Sequence, residues 1–443
     1  MAQATGPTAE CPLMGNTRVK MLEALESSFI LCRFMQCEML DCLQEDVQST
    51  PLRRTRDVFN REISAGCPMV QLIHATASGL LLSLIKGTLA YDYHPDRRRQ
   101  TYPEKGAGTY AVAPYIEGRD GKFLCRNELR EIVNDLDQYL EAYTRLQVHQ
   151  GDRSLMQPGE RRLVRFANEV DQVFSPGWTP TKPTALRWVT SQVSFLGITA
   201  LRESLHLRDQ NSPDVTGTVW QEQAPIYVGC SNAMEACLPQ HRPENGLSRT
   251  SKAPGLLLSL LKKRGHDVRV VAVPVVKTWT DDMLPCSEVV VTLLAQSLTE
   301  QGGLNVIDGG GRSDNSRSLA SQEESRVEVM GQFPFVKENT DSTFQAINEI
   351  NELVTILDDL VALAQTFETS KDELEDSAAE AQHVMDMLDN VNAALESQLE
   401  MAQKELDKLL SIRDSHLMIK DSVAQWKAYG DVYGYGARDN TKN

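Results

Sequence analysis

A long heptad repeat near the C-terminus constrains the fold of this chain more than any other feature. Residues 337–421 contain no proline or glycine, and apolar side chains recur there at two positions of every seven. A helix with this repeat has one apolar stripe, which is buried when helices wrap around each other. The pattern predicts a coiled coil roughly 90 Å long, because an α-helix rises by about 1.5 Å per residue.

The repeat keeps its register over nine heptads. One core position holds Ile350, Leu357, Ala364, Lys371, Ala378, Met385, Asn392, Leu399 and Leu406. The other holds Leu353, Leu360, Phe367, Leu374, Ala381, Leu388, Leu395, Ala402 and Leu409. The polar core residues Lys371 and Asn392 cost stability, but they fix the register and favour a two-stranded pair. We expect self-association; the alternatives are an antiparallel hairpin hinged within residues 368–377 and a helix folded against the rest of the chain.

The same segment carries most of the net charge of the protein. The 443 residues have a formal net charge of −16 at pH 7, and residues 337–421 hold twenty acidic and six basic side chains. The segment therefore has a net charge of −14, which leaves −2 for all other residues. Like charges weaken pairing of the segment with itself, although salt screens them. Another protein with a basic surface would relieve this repulsion.

A mainly helical region, residues 17–209, is predicted upstream, after a short disordered lead at residues 1–16. Apolar residues at helical spacing indicate amphipathic helices over residues 17–44 and 127–146. Proline and glycine interrupt the helical pattern near residues 176–183.

Two other stretches of this region differ from an amphipathic helix. Residues 70–90 are largely apolar, but polar and charged side chains interrupt them. They predict a buried core helix, because a membrane span would carry a charge only at a cost of a few kcal/mol. We therefore expect no association with a membrane. Residues 92–120 are rich in proline, glycine and charge, which indicates an irregular connection.

The cysteines suggest an intracellular protein. They are odd in number, scattered and without a C-x-x-C pair, which argues for reduced thiols in the cytoplasm or nucleus. The N-terminus has no basic residue followed by an apolar core, so it does not predict a secretory signal. The nine cysteines are Cys11, Cys32, Cys37, Cys42, Cys67, Cys125, Cys230, Cys237 and Cys286.

A short motif in the middle of the chain is typical of a strand followed by a turn and a helix. Residues 225–231 read Pro-Ile-Tyr-Val-Gly-Cys-Ser, in which β-favouring side chains precede Gly229. The following helix, residues 232–241, ends at His241. A helix bearing Glu288 comes later, and Asn305 ends the pattern.

In order and spacing, these residues resemble the GIY-YIG nuclease family. The resemblance covers about residues 211–308 and implies hydrolysis of phosphodiester bonds by a few groups. It implies that Tyr227 activates water, that Glu288 holds a divalent metal, Mg²⁺ or Mn²⁺, and that His241 belongs to the catalytic set. The family places an arginine against the scissile phosphate, and this chain has Cys237 there.

The first half of the family signature fits less well. Gly217-Thr218-Val219 can be aligned with the GIY triplet, but Val219 then replaces its tyrosine. Without the resemblance, Tyr227 would be a half-buried strand tyrosine and Glu288 a helix glutamate stabilised by the helix dipole. A zinc set of Cys230, Cys237 and His241 lacks a fourth ligand at a familiar spacing.

The expected fold class is α/β. We predict a mainly helical N-terminal region, a small GIY-YIG-like α/β module with a short mixed sheet at residues 211–308, and a long C-terminal coiled-coil helix. Residues 268–276 are expected to be an edge strand or to contain a bulge, because Pro274 lies within them. A flexible linker at residues 309–336 and a flexible tail at residues 422–443 flank the coiled coil.

Charge argues against tight binding of nucleic acid by the module. Residues 211–306 hold eight basic and nine acidic side chains, whereas nucleic-acid surfaces normally have a basic excess. Nucleic acid is therefore a possible partner, but the charge balance of residues 211–306 does not support it.

Three functions remain open at this stage. The favoured one is a catalytically compromised GIY-YIG-like module that acts as a binding or scaffolding unit and is oligomerised by the coiled coil, with no cofactor. The second is a metal-dependent endonuclease using Tyr227 and Glu288, with Arg242 or Arg249 replacing the missing arginine. The third is a structural coiled-coil protein unrelated to nucleases.

Overall fold

The computed structural model describes two compact units. One unit consists of Met1–Glu26 with Phe34–Asn339, and the other of Ser27–Arg33 with Thr340–Asn443. The chain belongs to the mixed α/β class, because it is mostly helical and contains one small sheet. The described residues are 16–35, 57, 60, 61, 68–97, 99–212, 214–247, 249–306, 309, 317–374, 385, 387–405 and 407–411.

A three-stranded antiparallel sheet forms the centre of the first unit, with strand order β2-β1-β3. β1 is Gly108–Ile116, β2 is Tyr227–Ser231 and β3 is Val268–Lys277. β1 is buried along its whole length. The three strands pair only in antiparallel fashion, so the prediction of a mixed sheet is wrong. β3 is an edge strand, and its pairing with β1 shifts register beside Pro274, as predicted.

The central strand comes from a stretch that the sequence predicts to be irregular. Most side chains of β1 are apolar, aromatic or β-branched, which favours a strand despite the proline and glycine around it. A proline is rare in a strand that is paired on both sides. Pro114 is tolerated because β2 pairs with β1 only from Gly108 to Val112, which leaves one side of β1 without a strand at Pro114.

The sheet is therefore not contained in residues 211–308, where the sequence places the α/β module. β2 and β3 come from that stretch, whereas β1 comes from the region predicted to be mainly helical, residues 17–209. The side chains of β1 favour a strand, but local pattern does not show which distant strands it pairs with.

Helices make up most of the described residues. We number them in chain order from α1 to α13. They are Asn16–Ala24, Ser28–Arg33, Met69–His74, Ser78–Lys86, Leu89–Asp92, Arg126–Val148, Pro158–Gln172, Gln192–Asn211, Met234–Cys237, Lys252–Lys263, Met283–Ala295, Leu319–Val327 and Phe335–Leu374. Shorter 3-10 or π turns are Arg153–Leu155, Leu238–His241, Pro243–Asn245, Thr299–Gln301 and Glu328–Gln332.

Two helices predicted to be continuous are each broken. Within residues 17–44, α1 ends at Ala24 and α2 begins at Ser28; residues beyond 35 lie outside the described part. Within residues 70–90, α3 and α4 are separated by a turn in which the Thr76 hydroxyl donates to the Leu72 carbonyl at 2.9 Å. Such side-chain bonds compete with the helix ladder and favour helix ends.

No helix of the described residues is long and apolar enough to cross a membrane. The stretch of residues 70–90 is nevertheless buried over most of its length, as predicted for a core segment.

The segment predicted to be a flexible linker, residues 309–336, contains α12 and the π turn Glu328–Gln332 among its described residues. Ser318 caps α12 by accepting from the Ser321 amide at 3.3 Å. Lys277 is buried at the end of β3 and pairs with Glu328. Because a buried ammonium group needs an acidic partner, this pair fixes the turn, and the linker prediction is wrong there.

The last helix, α13, begins in the first unit and continues in the second. Near its start, Asn339 donates to the carbonyl oxygens of His74 and Thr76, each at 2.7 Å. In the second unit, residues 387–405 and 407–411 are also helical. A coiled coil needs a second helix beside the first, so this pairing stays a prediction. Residues 375–384, the N-terminal lead before Asn16 and the predicted tail lie outside the described residues.

Candidate functional site

The pairing of β1 with β2 brings a tyrosine and a glycine face to face. Tyr110 lies opposite Gly229 in the antiparallel register. A Cβ atom added to Gly229 would lie 2.8 Å from the Tyr110 hydroxyl oxygen, which is closer than real Cβ contacts. Gly229 therefore provides the space that the Tyr110 phenol occupies.

His241 lies between two tyrosine rings. Its centroid is 5.4 Å from that of Tyr110 and 5.0 Å from that of Tyr227. The His241 Nε2 atom is 3.1 Å from the Tyr110 hydroxyl oxygen, and Nδ1 is buried with no hydrogen-bond partner among the described residues. Burial lowers the pKa of His241 to about 4, so the imidazole is neutral at physiological pH.

Tyr227, the first residue of β2, is held by a serine. The Ser251 hydroxyl donates to the Tyr227 hydroxyl oxygen at 3.0 Å. Burial raises the pKa of Tyr227 to about 12; the nearby Glu288 adds to this rise, and the Ser251 bond opposes it. A phenol with so high a pKa is a poor base at neutral pH.

Cys237 ends α9 and faces the turn after β2. Its thiol donates to the Ser231 hydroxyl oxygen at 3.1 Å, and the same oxygen accepts from the Ala233 amide at 3.0 Å. Cys237 packs against the apolar cluster that contains Tyr110. The small Cys237 side chain therefore stands where the nuclease resemblance requires an arginine.

The position of Glu288 follows from the docking of α11 on the sheet. Next to it in α11, the Ser287 hydroxyl lies 2.6 Å from the Thr109 hydroxyl of β1, and both residues are fully buried. The Ser287 hydroxyl also donates to the Leu284 carbonyl oxygen at 2.8 Å. These bonds fix α11 against the central strand, and the half-buried Glu288 of the same helix raises the pKa values of Tyr110 and Tyr227.

Glu288 acts electrostatically on Tyr110, Tyr227 and Cys230. Burial raises the pKa of the Cys230 thiol, and both the charge of Glu288 and its hydrogen bond with Cys230 raise it further. Burial likewise raises the pKa of Tyr110, with smaller contributions from Tyr227, the two cysteines and Glu288. We call Tyr110, Tyr227, His241, Cys237 and Glu288 the polar cluster.

Asn305 closes the free edge of β2. Its side-chain Oδ1 accepts from the Val228 amide at 2.8 Å, and its Nδ2 donates to the Val228 carbonyl oxygen at 2.7 Å. The Leu304 amide donates to the Ile226 carbonyl oxygen at 2.9 Å. Backbone groups that an edge strand leaves unpaired are thus satisfied by the segment after α11.

None of the five residues of the polar cluster is a lysine or an arginine. The groups with the largest effects on the pKa values of Tyr110 and Tyr227 are neutral or acidic. Arg242 is exposed and pairs instead with Glu104 at 2.8 Å. Arg249 is exposed as well.

A metal site is not apparent either. In the described part of the chain, no three His, Cys, Asp or Glu side chains are grouped to hold a metal ion, and this includes Cys230, Cys237 and His241. Glu288 is the one carboxylate among the groups with the largest effects on the pKa of Tyr227. It is hydrogen-bonded to the Cys230 thiol. A single carboxylate would hold Mg²⁺ or Mn²⁺ only together with water and substrate phosphate oxygens, which complete the ligand set in many phosphoryl-transfer sites.

The triplet Gly217-Thr218-Val219 lies outside the sheet. Gly217 lies in a bend with a positive φ of 75°, and Val219 is exposed, so neither belongs to the sheet. The strand beside β2 begins instead with Gly108-Thr109-Tyr110. Sequence reasoning missed Tyr110; the β-favouring side chains of β1 were the signal that could have revealed it.

Among the described residues, four cysteines are free thiols and one is not. The free thiols among the described residues are Cys32, Cys125, Cys230 and Cys237. Cys286 is disulfide-bonded, so the expectation of reduced thiols is wrong for this residue. A disulfide depends on which cysteines the fold brings within reach of each other, and spacing along the sequence does not reveal that.

In comparisons with protein families, curated proteins and solved structures, this chain matches none of them.

Proposed function

We propose that the sheet and the helices around it form a degenerate GIY-YIG-like module that binds a partner and does not cut nucleic acid. The observation that carries the proposal is the polar cluster: phenol, imidazole and carboxylate groups lie together, and Cys237 occupies the place of the arginine. The proposal rests on the geometry of these residues together with the resemblance of their order in the sequence.

The antiparallel pairing of β1 with β2, in which Tyr110 lies opposite Gly229, supports the family resemblance better than Gly217-Thr218-Val219 does. In this pairing Tyr110 supplies the tyrosine of the GIY triplet, a position at which the first alignment had Val219. The segment between the two triplets is then a long insertion that contains α6, α7 and α8.

Chemistry favours a compromised site. Hydrolysis of a phosphodiester builds negative charge on the phosphoryl oxygens, and an arginine that neutralises it contributes roughly 10³- to 10⁵-fold to the rate in related phosphoryl transfers. A cysteine side chain carries no positive charge, so Cys237 cannot neutralise those oxygens. The raised pKa of Tyr227, about 12, also weakens its ability to activate water.

The C-terminal helices supply the scaffolding part of the proposal. Self-association through the heptads would present several copies of the module to one partner, which raises avidity without new contacts. The proposed role is therefore a multivalent binding unit.

Cleavage of branched and linear DNA and RNA by the purified protein, with Mg²⁺ or Mn²⁺, tests this proposal. We expect no cutting above the background of Glu288→Ala. Metal-dependent cutting that is lost in both Glu288→Ala and Tyr227→Phe would contradict the proposal. Circular dichroism of each variant checks that the fold is retained.

Metal-dependent cutting that is lost in Glu288→Ala and Tyr227→Phe would support the second candidate, a metal-dependent endonuclease. The ring contact of Tyr227 with His241 and the electrostatic effect of Glu288 on Tyr227 are the observations in its favour. It would also require a cation from elsewhere, and Arg242 is the first residue to test by substitution with alanine. If cutting survives Arg242→Ala, Arg249 becomes the next residue to test.

A further inference from the structure

The exposed side of α13 is apolar over a wider arc than a two-stranded coiled coil uses. Leu353 and Leu360, at a core position of the heptads, are 51% and 50% exposed. Ile356 and Leu363 are 54% and 61% exposed, and they occupy the position on one flank of that core. In a two-stranded coiled coil, flanking positions are usually charged.

The opposite flank of the core is apolar as well. Val354 and Val361 occupy it, and Val361 is 44% exposed. We call Leu353, Leu360 and the four flanking residues Val354, Ile356, Val361 and Leu363 the wide apolar face. An apolar arc that includes both flanks is typical of helices that pack against two neighbours, as in helix bundles.

The acidic side chains of the same stretch lie away from this face. Glu352, Asp358 and Asp359 are exposed and fall on heptad positions outside the core and its flanks. Residues 350–366 contain no lysine or arginine. Further along, Asp389 and Glu396 occupy a flank, so the apolar face is narrower there.

This placement of charge argues for a second copy as the occupant. Charged flanks select a partner of opposite charge. The wide apolar face has no acidic side chain on its flanks that could pair with a basic helix. Copies of this chain would bury their apolar flanks together and leave Glu352, Asp358 and Asp359 in water. The net charge of the segment is therefore no obstacle at the contact itself.

We propose that the wide apolar face binds other copies of this chain in a bundle of more than two helices, one from each copy. The inference rests on the proposed self-association of the C-terminal helices. Lys371 and Asn392 favour a two-stranded pair instead. They lie outside residues 350–366, where the wide apolar face is found.

Light scattering of the full chain after size exclusion tests the inference. We expect a mass of more than two chains. The double variant Ile356→Gln with Leu363→Gln keeps the core positions and should shift the mass to two chains. The control, Thr355→Gln with Ala362→Gln, changes exposed residues on the opposite side and should leave the mass unchanged.

The outcomes separate this inference from the proposed function. A mass of two chains for the wild type would overturn the bundle and leave self-association intact. A monomer would overturn both. An equal loss of mass in the control variant would show that the apolar flanks are not the contact and would also overturn the inference.

Discussion

At the scale of single residues, the candidate site depends on space and burial more than on charge. The phenol of Tyr110 has room because Gly229 lacks a side chain, and His241 is neutral because it is buried. These properties can be tested one residue at a time, whatever the partner of the module is.

Gly229→Ala should destabilise the protein. The added methyl group would lie 2.8 Å from the Tyr110 hydroxyl, so the ring or the strand must move. Overpacking of a core typically costs about 1–3 kcal/mol, and we expect that loss in urea unfolding. Gly159→Ala is the control, because nothing lies within 4 Å of a Cβ atom added there. Equal stability of the two variants would contradict the contact.

The stability of the protein should fall in acid because of His241. Its pKa is about 4 in the folded protein and 6.5 ordinarily, so below pH 6.5 the unfolded chain takes up a proton that the folded protein does not. The contribution is complete above pH 6.5 and is lost as the pH falls toward 4, by about 3 kcal/mol. Urea unfolding at pH 7 and pH 4.5 measures it.

His241→Gln isolates this effect, because glutamine does not titrate. Burial raises the pKa of Asp171 to about 6, so protonation of Asp171 stabilises the folded protein as the pH falls. That opposite change is present in both proteins and cancels in their difference. The prediction is wrong if wild type and His241→Gln lose equal stability between the two pH values.

At the scale of elements, local pattern predicted what local residues determine. The amphipathic helix at Arg126–Val148 and the edge strand β3 with its irregular pairing at Pro274 follow from neighbouring side chains. β1 was missed because its pairing partners are far along the chain. The helix at Leu319–Val327 was missed because the glycine-rich sequence before it indicates flexibility.

The same distinction applies to the candidate site. Tyr227, His241, Cys237 and Glu288 lie within one stretch of sequence whose order indicated that they belong together. Tyr110 enters from β1, so its place beside His241 depends on the fold.

Asn305→Ala tests how the free edge of β2 is closed. The variant loses both hydrogen bonds to Val228 and leaves its buried amide and carbonyl groups unpaired. We expect a loss of about 2–4 kcal/mol in unfolding free energy and faster hydrogen exchange of the Val228 amide. Asn245→Ala removes one exposed bond to the Pro239 carbonyl and should cost less than about 1 kcal/mol. Unchanged exchange at Val228 in Asn305→Ala would refute this role.

At the scale of the whole molecule, charge and fold are unevenly distributed. The C-terminal segment, residues 337–421, holds nearly all of the net negative charge, and the remaining residues are close to neutral. Association of like-charged segments is opposed by long-range repulsion even when the contacts themselves are apolar.

Self-association should therefore strengthen with salt. Raising sodium chloride from about 50 mM to about 500 mM shortens the screening length and reduces repulsion between copies. Sedimentation velocity at several protein concentrations should show a lower apparent dissociation constant at high salt. A basic partner would show the reverse dependence, and weaker self-association at high salt would contradict the homotypic contact.

The most direct test of the central claim is to restore the missing cation. Under single-turnover conditions with Mn²⁺, the wild type and the control Ala236→Arg, an exposed neighbour in the same helix, should not cut DNA. Cys237→Arg should cut, because it returns a positive charge to the polar cluster, and the added substitution Glu288→Ala should abolish the cutting. Metal-dependent cutting by the wild type that depends on Glu288 would show that the site is active as it stands and would contradict the claim.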